Sequence, residues 1–331
     1  MKSIDVVLPV IYRLPTSLSR RMIFLVVYGK LPRVRNPVTF HEKMNWRILK
    51  DRRELLAWTC DKLAMKDYVL SSQVGKDGGV RLPATLWTGT DVRELANVKL
   101  PDHWVLKPNH RSGGEIFFGH GQPDIADLAR TAQRWLRSFE VSSLHEWAYS
   151  QARTSLLVEE LIGEPGAPLP DYKFYVFGGE VAALVVHRDR HTDHCVRWYR
   201  PDWTPIAMDI VNYKMGRVEP TPPAGLEKMT AIASELGRPF DFMRIDLYSV
   251  ENDVFFGELT PYPASGTDRF APDSFDDELG AMWELPKALR LHGVSWLPFG
   301  SVGLIRVKVR GGTLTLRQLE EDIECLLVRY F

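Results

Sequence analysis

The sequence predicts an α+β protein in which helices come first and antiparallel strands follow. Apolar residues recur at helical spacing through the first 80 residues, and from Leu82 short β-branched and aromatic runs alternate with glycine-bearing turns. Late in the chain, two such runs face each other across a polar turn, Glu251-Asn252-Asp253. With 331 residues and 45% hydrophobic content, the chain can bury a real core and divides into two or three lobes. Lys plus Arg and Asp plus Glu both number 42, which argues against a nucleic-acid partner held by bulk charge. Cys60, Cys195 and Cys325 stand apart with no CxxC pair, as expected of free thiols in a reducing cytosol.

The N-terminal stretch is apolar but interrupted by Asp5, Pro9 and Arg13, so no signal-peptide core is expected. Met22 to Tyr28 is too short to span a bilayer and reads as a buried helix; membrane association is expected to be at most peripheral. Thr39 is placed to cap a helix through Phe40–Leu49, and Thr59 to Leu70 forms a second amphipathic helix stopped by the glycines at 75–79. Lys43, Lys62 and Lys66 read as solvated faces.

Strands are then expected at Leu82–Trp87, Trp104–Pro108 and Glu115–Phe118. The segment between the last two, Asn109 to Gly114, carries two glycines and follows Lys107. From these residues alone it reads equally as a phosphate-binding loop or a plain hairpin turn; no Walker pattern is present. A helix from Asp124 precedes the apolar strand Thr154–Ile162, whose Glu159 and Glu160 lead into a Gly/Pro-rich connection suited to an interlobe hinge. Asp171 to Phe177 and Glu180 to Val186 form a hairpin across Gly178-Gly179, with Asp171, Lys173 and Tyr175 on one face. The cluster His187, His191, His194 and Cys195 lacks the second ligand group of a structural zinc site, so it reads as a cationic loop able to reach an anion. A helix spans Gly225–Gly237.

Next comes Phe242–Gly266. Centring its turn on Asn252 sets Asp246 opposite Glu258 and Arg244 opposite Thr260, all four on one face, with Ile245, Leu247, Gly257 and Leu259 on the other. Facing carboxylates repel unless a cation lies between them, and Mg²⁺ suits one or two carboxylates plus phosphates. In isolation such a pair reads more simply as a wet surface face. Phe275–Trp283 is expected to be helical, and the tail from Ser301 reads as strand, Gly311-Gly312 turn, strand, then a helix from Leu316.

In order, VLKPNHRSGG, LLVEELIG, PDYKFYVFGGEV, FMRIDLY and FFGELTPYPASG resemble the ATP-grasp superfamily. With NPVTFHEKMNW and DKLAMKDYV upstream, they resemble its TupA-like branch, which is associated with teichuronopeptide and other surface-polysaccharide gene sets, over roughly residues 28–285. The resemblance implies an ATP-grasp fold: two α/β lobes with mainly antiparallel sheets clasping ATP, behind a helical N-terminal region. The implied divisions are 1–81 (helical region), 82–162 (small lobe), 163–290 (large lobe) and 291–331 (C-terminal extension).

It also implies roles. Lys107 and the loop His110, Arg111, Ser112, Gly113 and Gly114 would hold ATP phosphates. Glu159, Glu160, Leu161 and Ile162 would line the adenine slot, Asp171 would meet the ribose, and Lys173 would reach the phosphates. Asp246, Glu258 and Thr260 would hold Mg²⁺, Thr260 standing where the superfamily commonly has Asn; Arg244 would face the reacting carboxyl. Asp189, Arg190 and His194 match branch-like positions suited to gating or substrate contact. The implied activity is an ATP- and Mg²⁺-dependent carboxylate–amine ligase. The alternatives are a kinase acting on a hydroxyl and a non-catalytic nucleotide- or glycan-binding member. The implied partners are a small-molecule or glycan carboxylate and an amine such as an amino acid, in the cytoplasm.

Overall fold

Thr39 does cap a helix: its hydroxyl accepts from Glu42 N at 3.3 Å, while the Glu42 carboxylate accepts from Thr39 N at 3.4 Å. The structure is a computed structural model. It describes residues 11–111, 116–137, 144–167, 169–189, 192–211, 213–219, 221–286, 306–309 and 312–315. The capped helix is α2 (Phe40–Lys50), preceded by α1 (Thr16–Tyr28) and followed by α3 (Glu54–Trp58), α4 (Lys62–Ser71) and the short α5 (Gln73–Lys76). Met22 to Tyr28 is thus the second half of α1, with Ile23 and Phe24 buried and Leu25 exposed. Helix α4 starts three residues later than Thr59, because the Asp61 carboxylate accepts from Leu63 N and Ala64 N and ends the extended chain there.

The first sheet contains β1 (Thr85–Gly89), β2 (His103–Pro108), β3 (Phe117–His120) and β4 (Leu156–Glu160), ordered β1-β4-β2-β3 with every pair antiparallel. β1 begins at Thr85 rather than Leu82, since Pro83 has no N–H and Ala84 N is taken by the Glu160 side chain at 2.9 Å. Helix α6 (Ile125–Leu136), capped by Asp124, covers this sheet and packs Leu128, Ala132 and Trp135 on Trp104, Leu106 and Val158.

The second sheet is built from β5 (Asp171–Phe177), β6 (Glu180–Arg188), β7 (Cys195–Tyr199), β9 (Lys214–Met215), β10 (Met243–Val250) and β11 (Asp253–Thr260). Its order is β11-β10-β5-β6-β7-β9, antiparallel except for the β7–β9 edge. A separate two-residue pairing joins β8 (Asp209–Ile210) to β12 (Phe270–Ala271). Helix α7 (Leu226–Gly237) buries Met229, Ile232, Ala233 and Leu236 on this sheet, and α8 (Ser274–Met282) packs against α2.

The N-terminal helices share the second sheet's core, where Phe40, Met44, Ile48, Met65 and Val69 pack with Phe174, Ile245 and Leu259. Arg47 is buried at the centre of that junction. It donates to Phe242 O at 2.9 Å and Pro261 O at 3.1 Å, so one guanidinium grips both ends of the β10–β11 hairpin. Asp241 balances its charge at 2.8 Å.

The chain separates into two compact units, Met1–Leu285 and Pro286–Phe331. In the second, β13 (Arg306–Val309) pairs antiparallel with β14 (Gly312–Thr315), Val309 opposite Gly312. The helix expected from Leu316 lies outside the described residues. No helix among the described residues is long and apolar enough to cross a membrane.

Candidate active site

β10 and β11 bring the site's acids together. Asp246 stands opposite Glu258 and Arg244 opposite Thr260, the register expected from the sequence. The route to it differs. Val250 pairs with Asp253, so the turn is only Glu251-Asn252, with Glu251 at a φ of 53°. A bulge at Gly257 then restores the offset, because Leu247 pairs with Phe256 while Asp246 pairs with Glu258. A Cβ on Gly257 would meet Tyr248 Cε2 at 2.9 Å and Asp246 O at 3.0 Å.

β5 lies on the other side of β10, with Lys173 opposite Asp246. That pairing builds a buried ion cage. Arg244 grips Asp246 with two hydrogen bonds of 2.7 Å and donates to Thr260 Oγ1 at 2.9 Å. Lys173 contacts Asp246 and, at 2.6 Å, Asp171. The side chains of Lys173 and Asp246 are 5% and 4% exposed. Burial alone would raise the Asp246 pKa; Arg244 and Lys173 outweigh it and hold the carboxyl well below the usual range.

Glu258 is different. Its Oε1 is buried without a hydrogen-bond partner, and the nearest ammonium, Lys62 Nζ, lies 3.9 Å away. A carboxylate oxygen left so is a place for a cation. Asp246 faces Glu258 across the hairpin and Thr260 follows two residues on, so the oxygens of this face are all hard, of the kind Mg²⁺ takes together with substrate oxygens. Among the described residues no group of three or more His, Cys, Asp or Glu side chains is placed to hold a metal.

In the first sheet, β2 and β4 make the second charged cluster. Lys107 Nζ lies 2.8 Å from Glu159 Oε2, and Lys66 closes on the other oxygen while donating to Pro83 O and Thr85 Oγ1, each at 2.7 Å. Burial pushes the Glu159 pKa up, but the two lysines bring it below the usual value. Glu160 ends β4, and its backbone N donates to Ala84 O at 3.0 Å. Glu160 and Leu161 help line a cavity of about 460 Å³ with Leu86, Leu100 and His103. Ile162 is half-buried just beyond it. His110 is buried with both ring nitrogens lacking a hydrogen bond, and burial followed by the Arg111 charge lowers its pKa. Ser112, Gly113 and Gly114 lie outside the described residues, as does Arg190. His194 Nε2 is 3.0 Å from His187 Nδ1, and His187 lies opposite Asp171 in the β5–β6 register. Asp189 follows the end of β6 at a φ of 52°.

Three lysines correct the sequence reading. None of Lys43, Lys62 and Lys66 belongs to a solvated face. Lys43 Nζ donates to Gly280 O and Trp283 O at 2.8 and 2.5 Å, joining α2 to α8. Lys66 holds Glu159, and Lys62 Nζ donates to Arg111 O at 2.5 Å beside Glu258. Helix α4 is fixed for this purpose: Lys62 N and Leu63 N donate to the backbone and side-chain oxygens of Asn109 at 3.3 and 3.0 Å. A sequence signal existed. Lys62 and Lys66 are spaced i,i+4 on one helix face, and a cation in the first turn opposes the helix dipole.

A model of the family described as TupA-like ATPgrasp matches residues 42–284. The chain belongs to that family, and with it to the ATP-grasp fold. No curated protein matches the sequence. Among solved structures it is similar to D-alanine–D-alanine ligase from Bacillus anthracis complexed with ATP, at 13% identity and a TM-score of 0.39 over 68% of this chain and 63% of that one. An L-amino acid ligase from Bacillus licheniformis gives 13% identity and 0.42 over 76% and 56%. The ATP-grasp ligase PsnB complexed with minimal precursor, Mg and ADP gives 13% and 0.33 over 74% and 66%. The chain thus spans less than two thirds of the length of the first two structures.

Proposed function

We propose that the chain is an ATP- and Mg²⁺-dependent carboxylate–amine ligase that makes an amide bond through an acyl phosphate. The observation that carries the reading is the Glu258 oxygen buried without a hydrogen bond, opposite Asp246 and paired at 3.9 Å with Lys62, whose ammonium also holds Arg111 O. A hard-cation position thereby adjoins a phosphate-binding position.

In this reading residues 82–162 and 163–290 are the two lobes that close on the nucleotide. Lys107 and the loop from His110 to Gly114 bind the phosphates, Glu159 to Ile162 line the adenine slot, and Asp171 meets the ribose. Asp246, Glu258 and Thr260 hold Mg²⁺, which when bound neutralises triphosphate charge. Asp246 is already gripped by Arg244 and Lys173, so both cations must turn toward the incoming anions as the site loads. Arg244 then takes the substrate carboxylate in its planar fork and Lys173 a phosphate oxygen. The carboxylate oxygen attacks the terminal phosphorus and ADP leaves; the amine then attacks the acyl carbon, phosphate departs, and the amine gives up a proton. Positioned charge and exclusion of water by the closing lobes supply most of the acceleration. Arg190 and His194 gate or orient the acceptor, a surface-polysaccharide or natural-product precursor.

The test is ADP release across a panel of amino acids and sugar acids, with hydroxylamine as a trap. Release that needs both an acid and an amine, and a hydroxamate in the amine's place, supports the ligase. A phosphorylated product without hydroxamate replaces it with a kinase, and no calorimetric binding of ATP·Mg²⁺ replaces it with a non-catalytic binder. At residue level, Glu258→Gln is expected to abolish turnover; intact turnover would sink the metal assignment.

A further inference from the structure

We propose that Lys62 is a dual-state ligand: the counter-ion of Glu258 while the metal is absent, and a phosphate ligand once metal and nucleotide are bound. The proposal rests on the reading of the β10–β11 carboxylates as the Mg²⁺ site.

Four observations lead to it. Lys62 Nζ lies 3.9 Å from Oε1, the Glu258 oxygen that is buried without a hydrogen bond, too long for a hydrogen bond but close for charge. The same ammonium donates to Arg111 O, at the entrance of the glycine loop, so it already stands at the seam between the two sheets' charged clusters. Its backbone cannot drift, because the first turn of α4 is bonded to Asn109 and the Asp61 carboxylate accepts from Arg153 N at 3.0 Å. The side chain is only 20% exposed, so this charge is largely withdrawn from solvent.

A divalent ion on Glu258 and an ammonium beside it repel each other. Loading the metal therefore drives Lys62 off Glu258, and its four-carbon stem lets Nζ swing while the helix stays fixed. The nearest anion in a loaded site is the nucleotide's phosphate chain. Lys62 thus opposes metal entering alone and favours metal arriving with nucleotide. That is an ordering device supplied from outside the two sheets. Lys66, one turn further along α4 and committed to Glu159, lacks the first half of this role.

The experiment is calorimetry on the full chain with Lys62→Met, Lys62→Arg and Lys66→Met. Mg²⁺ is titrated alone, then ADP in the presence of Mg²⁺. Lys62→Met is expected to bind Mg²⁺ alone more tightly by about threefold or more, and ADP·Mg²⁺ more weakly by about tenfold, the weight of one charge-assisted hydrogen bond. Lys62→Arg should recover most of the ADP affinity, and Lys66→Met should leave Mg²⁺ alone unchanged. A residue with only a structural role would weaken both ligands or neither, and either result overturns the proposal. Should Lys62→Met not fold, reductive methylation of the wild-type chain read by peptide mass spectrometry takes its place. Mg²⁺ alone should make the Lys62 amine more reactive and added ADP should protect it; unchanged labelling refutes the dual state. A wild-type chain that binds neither ligand refutes the ligase reading as well. Normal wild-type binding with Lys62→Met indistinguishable from Lys66→Met refutes this inference alone.

Discussion

Asp246 and Glu159 are both buried carboxylates held by two cations, yet they are built in opposite ways. The cations on Asp246 come from its own strand and the next one in the sheet, Arg244 and Lys173. Those on Glu159 come from a neighbouring strand and from a helix outside the sheet, Lys107 and Lys66. The first cage is fixed by strand register alone. The second has both of its cations only while α4 is docked. One cluster is therefore preorganised, and the other reports whether the N-terminal helices are seated.

Breaking the first cage should have the largest effect. Lys173→Met leaves Asp246 to Arg244 alone and removes from Asp171 its ammonium at 2.6 Å. A loss of about 3–5 kcal/mol in unfolding free energy is expected by denaturant titration. A loss below about 1 kcal/mol would mean that the guanidinium suffices and the cages are equivalent. Lys66→Met comes next, at about 1–3 kcal/mol, because Lys107 stays on Glu159 and is itself 25% exposed. The same variant should speed hydrogen exchange in α4 with little change in β10; equal acceleration in both would erase the distinction.

The smallest effect sharpens the contrast through a third acid. Glu146 accepts from Ser265 Oγ at 2.8 Å, and burial raises its pKa from 4.5 to about 7 despite that bond and the charge of Arg20. The folded protein therefore holds a proton here that the unfolded chain has released. The stabilisation is full below the unfolded value of 4.5 and fades as pH rises toward about 7. Asp246 runs the other way: its contribution is present above 3.8 and is lost as pH falls. Glu146→Gln should gain melting temperature relative to wild type on going from pH about 5 to about 7. Parallel profiles would show that Glu146 does not titrate in that window.

Much of this was legible in the chain because it is local. The Thr39 cap, the β5 boundaries and the Asp246–Glu258 register follow from side-chain alternation and turn chemistry. The register expectation succeeded through two compensating departures. Asp253 joins the strand instead of the turn, and Gly257 bulges to recover the lost residue. The pairing of β5 with β10 was not legible, since strands separated by some 70 residues carry no code for adjacency; with it went the knowledge that Lys173 would cage Asp246. The two lysines of α4 were hidden for a related reason. An i,i+4 pair of lysines looks solvated until the partners that desolvate it are known.

The bulge has a consequence for parity. With the two-residue turn and no extra residue, Asp246 would pair with Gly257, and Glu258 would point with Ile245 into the core. One bulged residue flips the remaining strand by a single step and returns the second acid to the first. Parity is thus decided at Gly257, below the hairpin's tip, and is held from the far side by β5. The tip itself is uncoupled from it. A short reporter inserted between Glu251 and Asn252 would ride on the same two strands as the acids without altering which residues they face.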